Sequence, residues 1–149
     1  VCFGHYFLHL LGQKSPHALI RSRCGIAAHI RVGIAEDHSA VRAALHTLFD
    51  EAPAMSCVGE AANERDTVDL VSSKTVDVLL LDTSLSGMSA WNVLGKVMEL
   101  APRTRVLIFA SYGGEWLQKK ALAKGAFGWI SADEEPARIV RAVRKDAAP

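Results

Sequence analysis

Glu36, Asp37 and Asp82 are the residues whose types and spacing point to chemistry. Glu36 and Asp37 directly follow the apolar-rich run Ile30-Arg31-Val32-Gly33-Ile34-Ala35, and Asp82 directly follows Val78-Leu79-Leu80-Leu81. Short apolar runs bounded by polar residues read as buried strands. In an open parallel α/β sheet, ligands bind beyond the carboxyl ends of the strands, near the point where strand order reverses, so these acids would meet there. Three carboxylates in one crevice repel one another and raise each other's pKa values. A divalent cation removes that penalty. Mg²⁺ fits, because it takes oxygen ligands and is commonly held by one or two carboxylates with waters and phosphate oxygens. Acids that merely cap helices or end strands in solvent would explain one isolated Asp better than three at two strand ends.

The elements that must position them follow from periodicity. Strands are predicted at Ile30–Ala35, Ser56–Glu60, Val76–Leu81, Arg105–Ala110 and Gly128–Ser131. The continuously apolar third run suits a central strand covered on both faces. Between them, Val41, Leu45 and Leu48 fall at helical spacing with Ser39 as N-cap, and Trp91, Leu94 and Met98 repeat the pattern before Pro102 stops it. Leu117 and Ala121 mark a helix ending at Gly125, and Ile139, Val140 and Val143 mark a last one with Pro136 near its start. The helix around Val68 and Val71 has the weakest pattern. Five βα units predict an α/β protein with a doubly wound five-stranded parallel sheet, a single domain over residues 30–146.

Residues 1–29 differ. An apolar and aromatic stretch from Cys2 to Leu11 precedes the basic residues Lys14, Arg21 and Arg23, the reverse of a secretory signal peptide. Cys2, His5 and His9 offer metal donors, but no fourth ligand is placed and the spacing matches no closed zinc pattern. This N-terminal extension is expected to be poorly ordered. It carries no acid, so the 14 basic and 16 acidic residues that follow it leave a slightly acidic body, which argues against direct nucleic-acid binding. Three widely spaced cysteines make no disulfide framework, Cys57 reading as a small core residue, and a reducing cytoplasm is expected. No run approaches the ~18 apolar residues of a membrane span.

Ile34-Ala35-Glu36-Asp37-His38 with Val41-Arg42, then Val78-Leu79-Leu80-Leu81-Asp82, then Gly125-Ala126-Phe127-Gly128-Trp129-Ile130 together resemble receiver domains of response regulators in two-component systems, of the NarL/FixJ (LuxR-type) subfamily. The resemblance runs from about Ile30 to Lys145. It implies the flavodoxin-like receiver fold with strand order 2-1-3-4-5. It also implies a phosphorelay role, with Asp82 accepting a phosphoryl group from a sensor histidine kinase. Mg²⁺ would be held by Glu36, Asp37, Asp82 and the backbone carbonyl of Ser84. Such a chain is a signalling domain, whose own catalysis extends at most to phosphoryl transfer onto and off its aspartate. A homodimer or an output domain would be its further partners.

Two switch positions depart from the family. The Thr or Ser expected at the end of the fourth strand is Ala110, and the Lys expected after the fifth is Ala132. Ser111 adjoins the first vacancy, but it could substitute only if the strand end shifted by one residue, since neighbours point to opposite faces. Trp129 stands where the switch aromatic is usually Tyr or Phe, and Ser86-Gly87-Met88-Ser89-Ala90 replaces the usual Pro-Gly-Met-Asp-Gly. The expectation is an acceptor with an impaired readout. The alternatives are a degenerate, phosphorylation-independent interaction module, or the receiver part of a longer DNA-binding regulator. A flavin protein would need a phosphate loop where Glu36-Asp37 stands, and a haloacid-dehalogenase-type phosphatase a second Asp where Ser84 stands.

Overall fold

The computed structural model describes residues 28–85 and 89–147, so Cys2, His5, His9 and the Ser86-Gly87-Met88 segment lie outside the described residues. Five strands, β1 (Ile30–Ala35), β2 (Met55–Ala61), β3 (Val78–Asp82), β4 (Arg105–Ala110) and β5 (Gly128–Ser131), alternate with α1 (Ser39–Glu51), α2 (Glu64–Ser73), α3 (Ala90–Leu100), α4 (Glu115–Ala123) and α5 (Pro136–Ala147). All strand pairs are parallel and the order is β2-β1-β3-β4-β5, the doubly wound sheet expected.

Alternation along each strand splits the core in two. Val32, Ile34, Val78, Leu80 and Leu107 pack with Leu45 and Phe49 of α1 and Ile139 and Val143 of α5. Leu79, Leu81, Val106 and Ile108 pack on the other face with residues of α2, α3 and α4. Because both faces are covered, all of β3 is buried, which is why its sequence is continuously apolar until Asp82. Each fully buried Leu, Ile or Phe contributes about 1.5–3 kcal/mol relative to exposure.

Some boundaries differ from expectation. β2 is one residue longer at each end. β3 begins at Val78 rather than Val76 and includes Asp82 as its last residue. Asp77 just before it still bonds through its backbone to the Arg31 carbonyl and the Arg105 N–H, both at 2.9 Å, while its carboxylate accepts from the Arg31 backbone N–H (2.8 Å), Nε (2.9 Å) and a terminal guanidinium nitrogen (2.8 Å). Ser39 is the first residue of α1 and not its cap. His38 holds that position without a side-chain bond, its carbonyl accepting from Arg42 N–H at 2.9 Å. Val41 and Met98, assigned to apolar helix faces, are 37% and 40% exposed. The weakly patterned α2 has a good start instead, with Asn63 accepting from Asp66 N–H at 2.9 Å. Gly125 sits at φ 99°, the left-handed conformation that lets the chain leave α4.

Arg31 holds the Asp77 carboxyl below its ordinary pKa through that side-chain hydrogen bond. A depressed folded-state pKa gives stability that is present above the unfolded value and lost as pH falls through the folded one. Asp77→Asn is therefore expected to be destabilised against the wild type at pH 6. The gap should narrow as pH drops below about 4, and urea midpoints at several pH values check this.

On α5, Arg138 pairs with Glu134 at 3.1 Å and Arg144 donates to the Pro53 carbonyl at 2.9 Å, so two of the helix's three arginines serve intramolecular contacts. Among the described residues no helix is long and apolar enough to cross a membrane.

Candidate functional site

Sheet order reverses between β1 and β3, which are direct neighbours. Their register pairs Ala35 with Leu81, so Glu36 and Asp82 are the next residues on adjacent parallel strands, where strand spacing is about 4.8 Å. Glu36 and Asp82 are 4% and 5% exposed at the rim of a crevice of about 460 Å³. Glu36 N–H donates to the Ala61 carbonyl at 3.0 Å and Thr83 N–H to the Phe109 carbonyl at 3.2 Å, so both carboxylates stand on backbone held by the sheet.

Burial raises the Glu36 carboxyl above its ordinary pKa. A hydrogen bond from His38 N–H at 2.9 Å works against that, and the charges of Asp82 and Asp37 add to the rise. Asp37 Oδ1 is buried without a hydrogen-bond partner, with the His38 ring Nδ1 at 3.4 Å. Ser84 Oγ donates to Asp82 Oδ2. Glu36 lies near enough to Asp37 and to Asp82 for both charges to push it up, so this set of oxygens has an unmet need for positive charge, although Asp37 is not among the residues that line the crevice. Such a set fits Mg²⁺ and would suit Zn²⁺ or a soft metal poorly. Glu36, Asp37 and His38 also lie close enough together to share an ion.

The crevice brings together most of the residues singled out in the sequence. Glu36, Asp82, Ser84, Ser111 and Ala132 line it. Ala110 is 1% exposed and packs with Ile108 and Ala121 in the α2–α4 core. β4 ends at Ala110, so Ser111 lies beyond the strand and reaches the crevice wall without a register shift. Trp129 packs half-buried against the same core cluster and lies over Gly113, where a Cβ would fall 2.2 Å from its ring. Two contributors carried no role in the sequence reading. Arg42 donates to the carbonyls of Glu36 (2.7 Å) and Asp37 (3.3 Å) and so pins the acidic loop to α1, and the His38 N–H holds Glu36. Only the placement of Arg42 one turn into the helix could have signalled this.

The response regulator receiver domain profile matches residues 32–144. The chain belongs to the response regulator receiver domain family. Its relatives make it a receiver of the NarL type. The nitrate/nitrite response regulator protein NarL of Escherichia coli (strain K12) is 32% identical over 113 residues, covering 76% of this chain and 52% of that protein. The response regulator UvrY of the same organism is 27% identical over 115 residues, covering 77% and 53%. Among solved structures, the signal receiver domain of a NarL response regulator from Mycobacterium tuberculosis aligns with TM-score 0.76 and 28% identity, covering 80% of this chain and 97% of that one. The chain spans about half the length of the curated relatives it matches.

Proposed function

We propose that this receiver accepts a phosphoryl group on Asp82 from a sensor histidine kinase. The observation that carries the proposal is the pairing of a buried Asp82 at the end of the central strand with Glu36 and the orphaned Asp37 oxygen across the switch point. Glu36, Asp37, Asp82 and the Ser84 carbonyl would hold Mg²⁺, which when bound offsets negative charge on the incoming phosphoryl oxygens. The chain's own part is positional. Arg42 and His38 hold the acidic loop, the sheet holds Asp82, and the Ser84 hydroxyl orients the Asp82 carboxylate through Oδ2. An Asp82 oxygen forms the bond to phosphorus as the phosphorus–nitrogen bond of the donor breaks, its electron pair leaving with the donor imidazole.

The readout is proposed to be weak. Ala110 brings no hydroxyl and Ala132 no ammonium to the crevice, which leaves Ser111 and Tyr112 as the hydroxyl-bearing residues that line it after β4. Those vacancies favour a second reading, a phosphorylation-independent interaction module. The exposed aromatics Tyr112 (89%), in the loop after β4, and Trp116 (69%), in the first turn of α4, favour it as well. The length of the relatives supports a third possibility, in which the receiver works beside an output domain of a longer regulator.

The test is intact mass of the full chain with a small-molecule phosphodonor, with and without Mg²⁺. One phosphoryl adduct that disappears on chelation is the expected result. No adduct under conditions that label an ordinary receiver overturns the proposal in favour of the interaction module.

A further inference from the structure

A second group of metal-type donors lies away from the acidic crevice, where α1 covers the edge strand β2. Register is the first reason it exists. Val32 pairs with Cys57 but Gly33 pairs with Gly59, so Val58 has no partner and β2 carries a bulge. Residues three apart on a regular strand point to opposite faces, and the extra residue brings Cys57 and Glu60 onto the same one. Helix periodicity is the second reason. His46 and Asp50 are one turn apart on α1, facing that strand.

The contacts form a connected set. His46 Nδ1 meets Glu60 Oε1, while His46 Nε2 lies 3.1 Å from Asp50 Oδ2. Asp50 Oδ1 accepts from the Cys57 backbone N–H at 2.8 Å, which ties the helix carboxylate to the strand. Glu60 Oε2 also accepts from Arg42 Nε at 3.3 Å. A donor atom from each of His46, Cys57 and Glu60 lies within 4.8 Å of the other two. A neutral imidazole has one N–H and here faces two carboxylates. One ring nitrogen therefore meets a carboxylate lone pair to lone pair unless a proton or a cation stands between them.

We propose that His46 Nδ1, Cys57 Sγ and a Glu60 carboxylate oxygen form a three-ligand site for a thiophilic divalent cation of the Zn²⁺ class. Nitrogen, sulfur and oxygen donors in one set match zinc and exclude Mg²⁺. Tetrahedral zinc holds such donors about 3.5 Å apart, so the His46–Glu60 contact must open and the Cys57 sulfur draw in, each by no more than about an ångström, within reach of side-chain rotation. Asp50 is a positioning residue. It accepts a hydrogen bond from His46 Nε2–H and so fixes the tautomer that presents Nδ1, the carboxylate–histidine arrangement common behind metal-bound imidazoles. Water fills the fourth position. Binding releases the Cys57 thiol proton to solvent and involves no electron transfer. The cation would clamp α1 to β2, the pair whose α1 end also carries Arg42 and the acidic loop.

Cobalt(II) reports the site directly, because a thiolate ligand gives a near-ultraviolet charge-transfer band that the acidic crevice, with no cysteine in its lining, cannot produce. The full chain carrying Cys2→Ser and Cys24→Ser keeps Cys57 as its one thiol. Titrated with Co²⁺, it should develop that band together with tetrahedral d–d absorption, and Zn²⁺ should displace both. Cys57→Ser should abolish the charge-transfer band. His46→Gln should weaken the affinity read from that band at least tenfold and Asp50→Asn by about 10–100-fold, while Asp82→Asn should leave the charge-transfer band and its affinity unchanged. Absence of the band in a chain whose circular dichroism is native overturns the proposal. So does a band whose affinity is the same with His46→Gln.

Discussion

Asp82→Asn is expected to abolish the phosphoryl adduct completely and, without Mg²⁺, to make the protein more stable. The two effects have separate causes. An amide has no carboxylate oxygen to attack phosphorus, and no other carboxylate in the crevice stands at the end of the central strand. Asn keeps the volume, and its side-chain oxygen can still accept from the Ser84 hydroxyl, as Oδ2 does now. It also removes one negative charge from beside Glu36, which is buried and whose carboxyl the Asp82 charge already pushes upward. Two unit charges about 5 Å apart at an effective dielectric near 20 repel by about 3 kcal/mol. In saturating Mg²⁺ the order should reverse, because the wild type gains binding energy that the variant has lost a ligand for. Intact mass and urea midpoints with and without Mg²⁺ check both halves. An adduct surviving in Asp82→Asn would move the acceptor elsewhere.

Ala132→Lys should raise the affinity for beryllofluoride, a phosphoryl mimic, by one to two orders of magnitude in saturating Mg²⁺. Ala132 follows β5, its N–H bonded to the Ala110 carbonyl at 2.9 Å, and it lines the crevice with Asp82. A lysine there can extend over the acids toward a group carried by Asp82. A charge-assisted hydrogen bond is worth about 1.5–3 kcal/mol, and each 1.4 kcal/mol is roughly tenfold in affinity. Trp129, three residues before and packed half-buried at the head of α4, is a natural fluorescence reporter. The ammonium should also compete with Mg²⁺, so the apparent Mg²⁺ affinity should fall while that for the mimic rises. Unchanged affinity for the mimic would mean that position 132 does not reach the phosphoryl group, and that the missing lysine does not explain a weak readout.

How much of this was legible in the sequence depended on whether the signal was local. β1, β4 and β5 were found to the residue, because each is a short apolar run ended by a change of composition. β3 stood out because both faces are covered, but it starts at Val78 and not Val76: Val76 is as buried as a strand residue, and burial alone does not mark where pairing begins. Ser39 looked like a cap because caps are recognised by residue type, whereas here the His38 backbone makes the first turn. The acids at the strand ends were visible because chain position alone puts them there.

The sequence by itself determined the element order, the two-faced core, the family, and three carboxylates beside two strand ends. All of these follow from residue type and spacing within a few positions. Tertiary structure alone decided that Asp37 keeps an orphaned buried oxygen, and that Ser111 reaches the crevice while Ala110 turns into the core. It decided, too, that a one-residue bulge puts Cys57 and Glu60 on one face opposite His46. The physical reason is the same in each case. Whether a polar atom finds a partner, and which face a residue presents, depends on register and packing between segments far apart in the chain, and local composition carries no record of either.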